Sequence, residues 1–140
     1  MTMPDVNLLI YAYNTSAPQH QRASDWWEQQ VATGQQVAVS WPVAQGFIRL
    51  MSGRSLLAKP YSPKEVFQIC QEWLDHNVLL LGPSAQTWTI FRNLTEKYHL
   101  VGSATSDALI AAFAVEHRAR LATNDTDFAR FKELRTLNPL

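Results

Sequence analysis

The stretch "SDALIAAFAVEHRARLATND", Ser106 to Asp125, decides the reading of the fold. Its first part, Asp107 to Arg118, keeps one apolar face, with Ile110, Ala111 and Ala114 on the same side as Asp107, and so reads as a helix. "RLAT" at 120–123 reads as a short strand, and Asn124-Asp125 closes it. The chain start repeats the junction. Residues 1–5 read as a strand in which Pro4 limits the ladder bonds. Asp5 ends that strand, and Asn7 to Tyr13 reads as a helix. An aspartate therefore stands at each place where a short apolar run ends and a helical pattern begins: Asp5, Asp107 and Asp125.

Working outward, Gln19 to Ala32 reads as a helix with Ala23, Trp26, Trp27 and Val31 on one side and Gly34 as its stop. Val37 to Val39 is β-rich, and Ser40 caps a helix that takes Pro42 in its first turn and carries Val43, Phe47 and Leu50. Ser52 to Pro63 is loop-like. Ser62-Pro63 starts a helix to about Asp75, "VLLL" at 78–81 is a compact buried strand, and Ser84 caps a helix to about Tyr98. Thr105 or Ser106 caps the helix from Asp107. "TDFARF" is a helical turn, and "LRTL" at 134–137 is the last strand. Short strands alternating with amphipathic helices predict an α/β fold, a parallel sheet covered on both faces. No composition shift or repeat divides the chain, so one domain over residues 1–140 is expected.

Bulk composition narrows the function. A chain of 140 residues with 46% hydrophobic content can build one core. Twelve basic and twelve acidic residues cancel, which removes a global basic field but leaves room for a local nucleic-acid site. The lone Cys70 has no internal disulfide partner and suits a reducing compartment. Neither a signal-peptide pattern nor a membrane-spanning apolar run is present, so a cytoplasmic location and no membrane association are expected.

Each aspartate alone could be a helix cap, since Asp is favoured there and complements the helix dipole. Together they ask for more. Asp107 sits on an apolar face with no Lys or Arg within one turn, and Asp5 is flanked by apolar residues. Buried charges need partners. Ligands of open α/β sheets bind beyond the carboxyl ends of the strands, where Asp5 and Asp125 both fall. Carboxylates gathered there repel unless a cation intervenes. Mg²⁺ or Mn²⁺, held by one or two carboxylates and bridging to phosphate, fits such a set.

At these residues the chain resembles PIN-domain proteins, and most of all the VapC-type toxins of bacterial toxin–antitoxin pairs. The resemblance lies in "DVNLLIYAY" from Asp5, "SDALIAAFAVEHRARLATND" from Ser106, and "TDFARF" with the ending "LNPL". It implies a three-layer α/β/α sandwich around a mainly parallel sheet. It also implies a Mg²⁺- or Mn²⁺-dependent endoribonuclease that cuts structured RNA (tRNA or ribosomal RNA) and is blocked by a small DNA-binding-type antitoxin, with a homodimer as the expected state. By the same resemblance Asp5, Asp107 and Asp125 are the metal-site and catalytic acids, Asp127 is a neighbour or substitute, and Asn7 and Thr123 help to orient them. Ser40 is the strand-end serine, six residues before a family glutamate; here that position is Gly46, next to the uncharged Gln45.

Gly46 gives weight to a second reading, a PIN scaffold with weakened catalysis that docks a partner. A metal-dependent phosphatase on a similar sheet is a third. Arg49, one turn beyond Gln45, could reach an RNA phosphate. The tryptophans read first as core or partner-surface anchors, with Trp26, Trp27 and Trp73 on helix faces and Trp88 near Phe91. His20, His76, His99 and His117 lack zinc-type spacing, and no phosphate-binding glycine loop occurs.

Overall fold

In the computed structural model, which describes residues 1–140, every strand is three residues long, and the strand ends rather than the strand lengths organise the molecule. The strands are β1 (Thr2–Pro4), β2 (Ala38–Ser40), β3 (Leu79–Leu81), β4 (Arg120–Ala122) and β5 (Arg135–Leu137). All pair in parallel. β1, β4 and β5 form one ladder and β2 with β3 another. A bridge between Thr2 and Val37 joins the two, so the spatial order is β3-β2-β1-β4-β5. The strand order reverses at β1, between β2 and β4. Crevices open at such a switch point, and the residues leaving β1 and β4 at that edge are Asp5 and Thr123.

Six helices cover the sheet: α1 (Val6–Tyr13), α2 (His20–Ala32), α3 (Trp41–Ser52), α4 (Pro63–Asp75), α5 (Ala85–Lys97) and α6 (Ala104–Glu116). Right-handed crossovers put α1–α4 on one face, because β1, β2 and β3 step in one direction. The return from β3 to β4 puts α5 and α6 on the other. The result is the expected α/β/α sandwich. Its interior carries one cluster of buried apolar residues that includes Met3, Leu9, Val39, Phe47, Phe113 and Leu121.

The tryptophan expectation divides. Trp27 and Trp73 are buried, and Trp73 packs on Phe47 with ring centroids 4.9 Å apart and on Trp27 at 5.6 Å. The Trp73 indole N–H donates to the Tyr13 hydroxyl at 2.8 Å, which satisfies a polar atom that burial would otherwise leave costly. This cluster ties α1, α2, α3 and α4 together. Trp26 is half-buried, whereas Trp88 and Trp41 are exposed.

Several local expectations are corrected. "VLLL" was expected to be buried, but Leu79 and Leu80 are about two-fifths exposed, because β3 pairs only with β2 and forms the sheet edge. Helix α6 starts at Ala104 rather than Asp107, with Ser103 in the N-cap place, and Asp107 falls in its first turn. Thr105 does not cap it; its hydroxyl donates back to the Gly102 carbonyl at 2.7 Å. The helix stops at Glu116, before the left-handed Arg118 (φ 52°). Ser40 occupies the N-cap place of α3, but its hydroxyl makes no cap bond and is buried without a hydrogen-bond partner. By contrast, Ser62 with Glu65 and Ser84 with Thr87 form complete capping boxes. No helix is long and apolar enough to cross a membrane.

Candidate functional site

The site grows from the end of β1. The Asp5 amide donates to the Ala122 carbonyl at 2.8 Å, extending the β1–β4 ladder by one residue and fixing the Asp5 backbone. Its side chain then caps α1, Oδ1 accepting from the Val6 amide at 2.7 Å. The other oxygen, Oδ2, accepts from the Thr123 hydroxyl at 2.9 Å. Thr123 follows β4 and is itself buried. Its oxygen also accepts from the Asp125 amide at 3.0 Å. One threonine thus links the acid that ends β1 to the backbone that carries the acid after β4.

Asp125 caps the short helical turn Thr126–Arg130 by accepting from the Asp127 amide at 2.9 Å. Asp107 reaches the same region from the first turn of α6. Asp5, Asp107 and Asp125 line one open cleft of about 600 Å³, together with Asn7, Gln45 and Arg49. Asp127 does not. It is exposed, and it points to Arg130, 3.8 Å away. Ser40 is buried and does not line the cleft, although the next residue, Trp41, does.

The electrostatics record the crowding. Asp5 is only 3% exposed. Burial pushes its carboxyl up from 3.8 to about 6, against the Thr123 and Val6 hydrogen bonds, which favour the charged form. Asp125 and Asp107 add further upward pushes. Asp107 is also raised, first by burial and then by the Asp125 charge, with Arg130 opposing. None of the three enters an ion pair. Acids held together without a cation of their own mark a functional cluster more than a stabilising one.

The donor set can be compared with what an ion needs. No group of three acidic, imidazole or thiol side chains converges closely enough to cage a metal. Mg²⁺ does not require a cage, since it keeps several waters and takes one or two carboxylates. Asp5 and Asp107 on an open cleft, with Asp125 close enough to act on both, fit that requirement. Gly46 lies on the wall where α3 passes α1. A Cβ there would meet Val6 Cγ2 at 3.2 Å, so the position is crowded even for a methyl group.

Two cleft residues carried no functional weight in the sequence. Trp41 directly follows a strand-end residue, and strand ends face the crevice. That was the available signal. Ser106, a cap candidate by sequence, also lines the cleft.

A parallel sheet of order β3-β2-β1-β4-β5, covered by helices on both faces and with acids gathered at its switch point, defines a three-layer α/β/α scaffold. The model of the PIN domain matches residues 2–134. The chain is 36% identical to ribonuclease VapC33 of Mycobacterium tuberculosis, over 100% of this chain and 99% of that one. It is 30% identical to ribonuclease VapC43 of the same species, over 100% and 96%. Among solved structures it is similar to VapBC2 from Rickettsia felis bound to a promoter DNA fragment, with TM-score 0.69, 22% identity and coverage of 98% and 97%. It is also similar to M. tuberculosis VapC20, a sarcin–ricin-loop-cleaving toxin, with TM-score 0.69, 17% identity and coverage of 96% and 99%. The chain belongs to the PIN-domain family.

Proposed function

We propose that this protein is a metal-dependent endoribonuclease toxin of a toxin–antitoxin pair, cleaving structured RNA of the tRNA or ribosomal type to stop translation. The observation that carries the reading is the gathering of Asp5, Asp107 and Asp125 on one cleft with no cation paired to any of them. Full-length similarity to curated VapC ribonucleases supports the reaction class. The sarcin–ricin-loop cleavage attributed to one structural neighbour supports a structured RNA target. Neighbours captured as VapBC complexes, some on DNA, support a small DNA-binding antitoxin as partner. A homodimer is part of the same proposal.

Asp5, Asp107 and Asp125 would hold Mg²⁺ or Mn²⁺. The bound ion would supply an activated water and stabilise the departing oxygen of the phosphodiester. The chain's own contribution is placement. Thr123 locks the Asp5 carboxylate and the Asp125 backbone in one register, the outer support that keeps ligands oriented. Burial of Asp5 keeps its charge poorly solvated and therefore receptive to a cation. Asn7 and Gln45 offer amide donors on the same cleft, where they can orient water or phosphate oxygens.

A specific observation favours a second reading, a partner-docking module with weakened catalysis. Gly46 supplies no carboxylate, and Val6 crowds the place where one would start. Induced expression separates the two. The nuclease reading expects growth arrest by the wild type that Asp5→Asn and Asp107→Asn relieve while the proteins remain folded. Arrest that persists undiminished in both variants would overturn it.

A further inference from the structure

The cleft carries two side chains that the acid chemistry leaves unused, Trp41 and Arg49, both at the solvent side of α3. Trp41 is 54% exposed, a large apolar area for a residue with no core role. A side chain at Gly82 would meet the Trp41 indole at 3.3 Å. The glycine therefore lets the ring lie against the turn between β3 and α5. Arg49 is the sole cation lining the cleft, and it takes part in none of the ion pairs of the chain. Its guanidinium thus stays available although three carboxylates share the same cavity. Gln45 lies one helical turn before Arg49 and lines the cleft with it.

The geometry points to a nucleotide clamp, with Trp41 as the stacking platform for one unpaired RNA base and Arg49 as the contact to a phosphate beside it. This rests on the ribonuclease reading above and adds a substrate requirement: the nucleotide at the cleft mouth is unstacked, from a loop or a single strand. Proteins that bind single-stranded RNA combine these two elements, an aromatic face for the base and a cation for the backbone. A base paired within a helix cannot present its face to a side chain. Trp41 also borders an apolar groove with Phe67, Leu74 and Leu80. Phe67, Leu74 and Leu80 are themselves exposed, so the Trp41 ring stands on the border between that groove and the cleft.

The test is fluorescence anisotropy with the Asp107→Asn protein, in which the ribonuclease reading expects cleavage to be lost and RNA binding kept, and a short fluorescein-labelled single-stranded oligoribonucleotide. The same sequence paired into a duplex is the comparison. The single strand should bind more tightly than the duplex. Trp41→Ala should weaken single-strand binding by about 5- to 150-fold, and Trp41→Phe should restore most of it. Arg49→Ala should lower the slope of log K against log salt by about 0.7, the share of one phosphate on a single strand. Unchanged RNA affinity in folded Trp41→Ala and Trp41→Phe proteins overturns the clamp alone. So does a Trp41 variant that loses only binding to a protein partner. Absence of RNA binding by the Asp107→Asn protein itself overturns the clamp and the ribonuclease reading together.

Discussion

Asparagine in place of Asp5 should make the metal-free protein more stable at neutral pH while removing its reaction. In the folded chain burial raises the carboxyl from 3.8 to about 6, which is worth about 3 kcal/mol between the two protonation states. Below pH 3.8 the group is protonated in the folded and the unfolded chain alike, and the favourable linkage is fully present. That contribution fades as pH rises through about 6, so wild type loses about 3 kcal/mol between acid and neutral pH. Asparagine removes the buried charge and keeps the local bonds. Its carbonyl can accept from Val6, and its amide can donate to Thr123 Oγ1, whose own proton turns away. Burying an amide retains part of the penalty, so the expected gain at pH 8 is about 1–3 kcal/mol. For a chain of 140 residues this corresponds to a Tm higher by roughly 3–10 °C. Thermal melts by circular dichroism in EDTA at pH 8 and near pH 4 read it directly. The variant should exceed wild type at pH 8, and the difference should shrink in acid. A variant equal to or less stable than wild type at pH 8 would show that Asp5 is an ordinary structural cap.

Three other outcomes can be stated more briefly. Thr123→Val should lower activity about 10- to 100-fold, the usual effect of losing outer support around a ligand set, while Thr123→Ser retains most of it; equal rates for Val and Ser would refute the orienting role. At low Mn²⁺, the acid limb of the rate profile should lie near pH 6 and move to lower pH as Mn²⁺ rises, because ion and proton compete for Asp5; a limb indifferent to Mn²⁺ contradicts shared occupancy. Gly46→Glu combined with Val6→Ala should tighten Mn²⁺ binding in calorimetry, since it adds a carboxylate to the cleft wall and removes the side chain that crowds it; unchanged affinity would mean that position 46 does not face the ion.

What could be read from residues alone was the position of each acid relative to the sheet. A carboxylate that closes an apolar run must fall at a strand end, and the strand ends of a parallel sheet share one edge. Asp5, Thr123 and Asp125 were legible for that reason. Asp127 was not separable from Asp125 by spacing; the helical turn sends one to the cleft and the other to Arg130. The start of α6 was equally ambiguous. Ser103, Thr105 and Ser106 are all competent caps, and only tertiary placement selects among them. Burial of "VLLL" failed as an expectation because an apolar run reports hydrophobicity and not whether its strand has one neighbour or two. Ser40 shows the same limit, with a capping residue in the capping place and its hydroxyl turned into the interior. Trp41 was legible only as an aromatic until Gly82 and the cleft gave it a setting.

The most direct test is cleavage of end-labelled structured RNA by the purified protein, run with Mn²⁺ or Mg²⁺ and with EDTA, beside Asp5→Asn and Asp107→Asn. Discrete fragments that require the ion and disappear in both variants are expected. Cleavage that survives EDTA, or that both variants perform as well as wild type, would contradict a metal-holding acid cleft as the seat of the reaction.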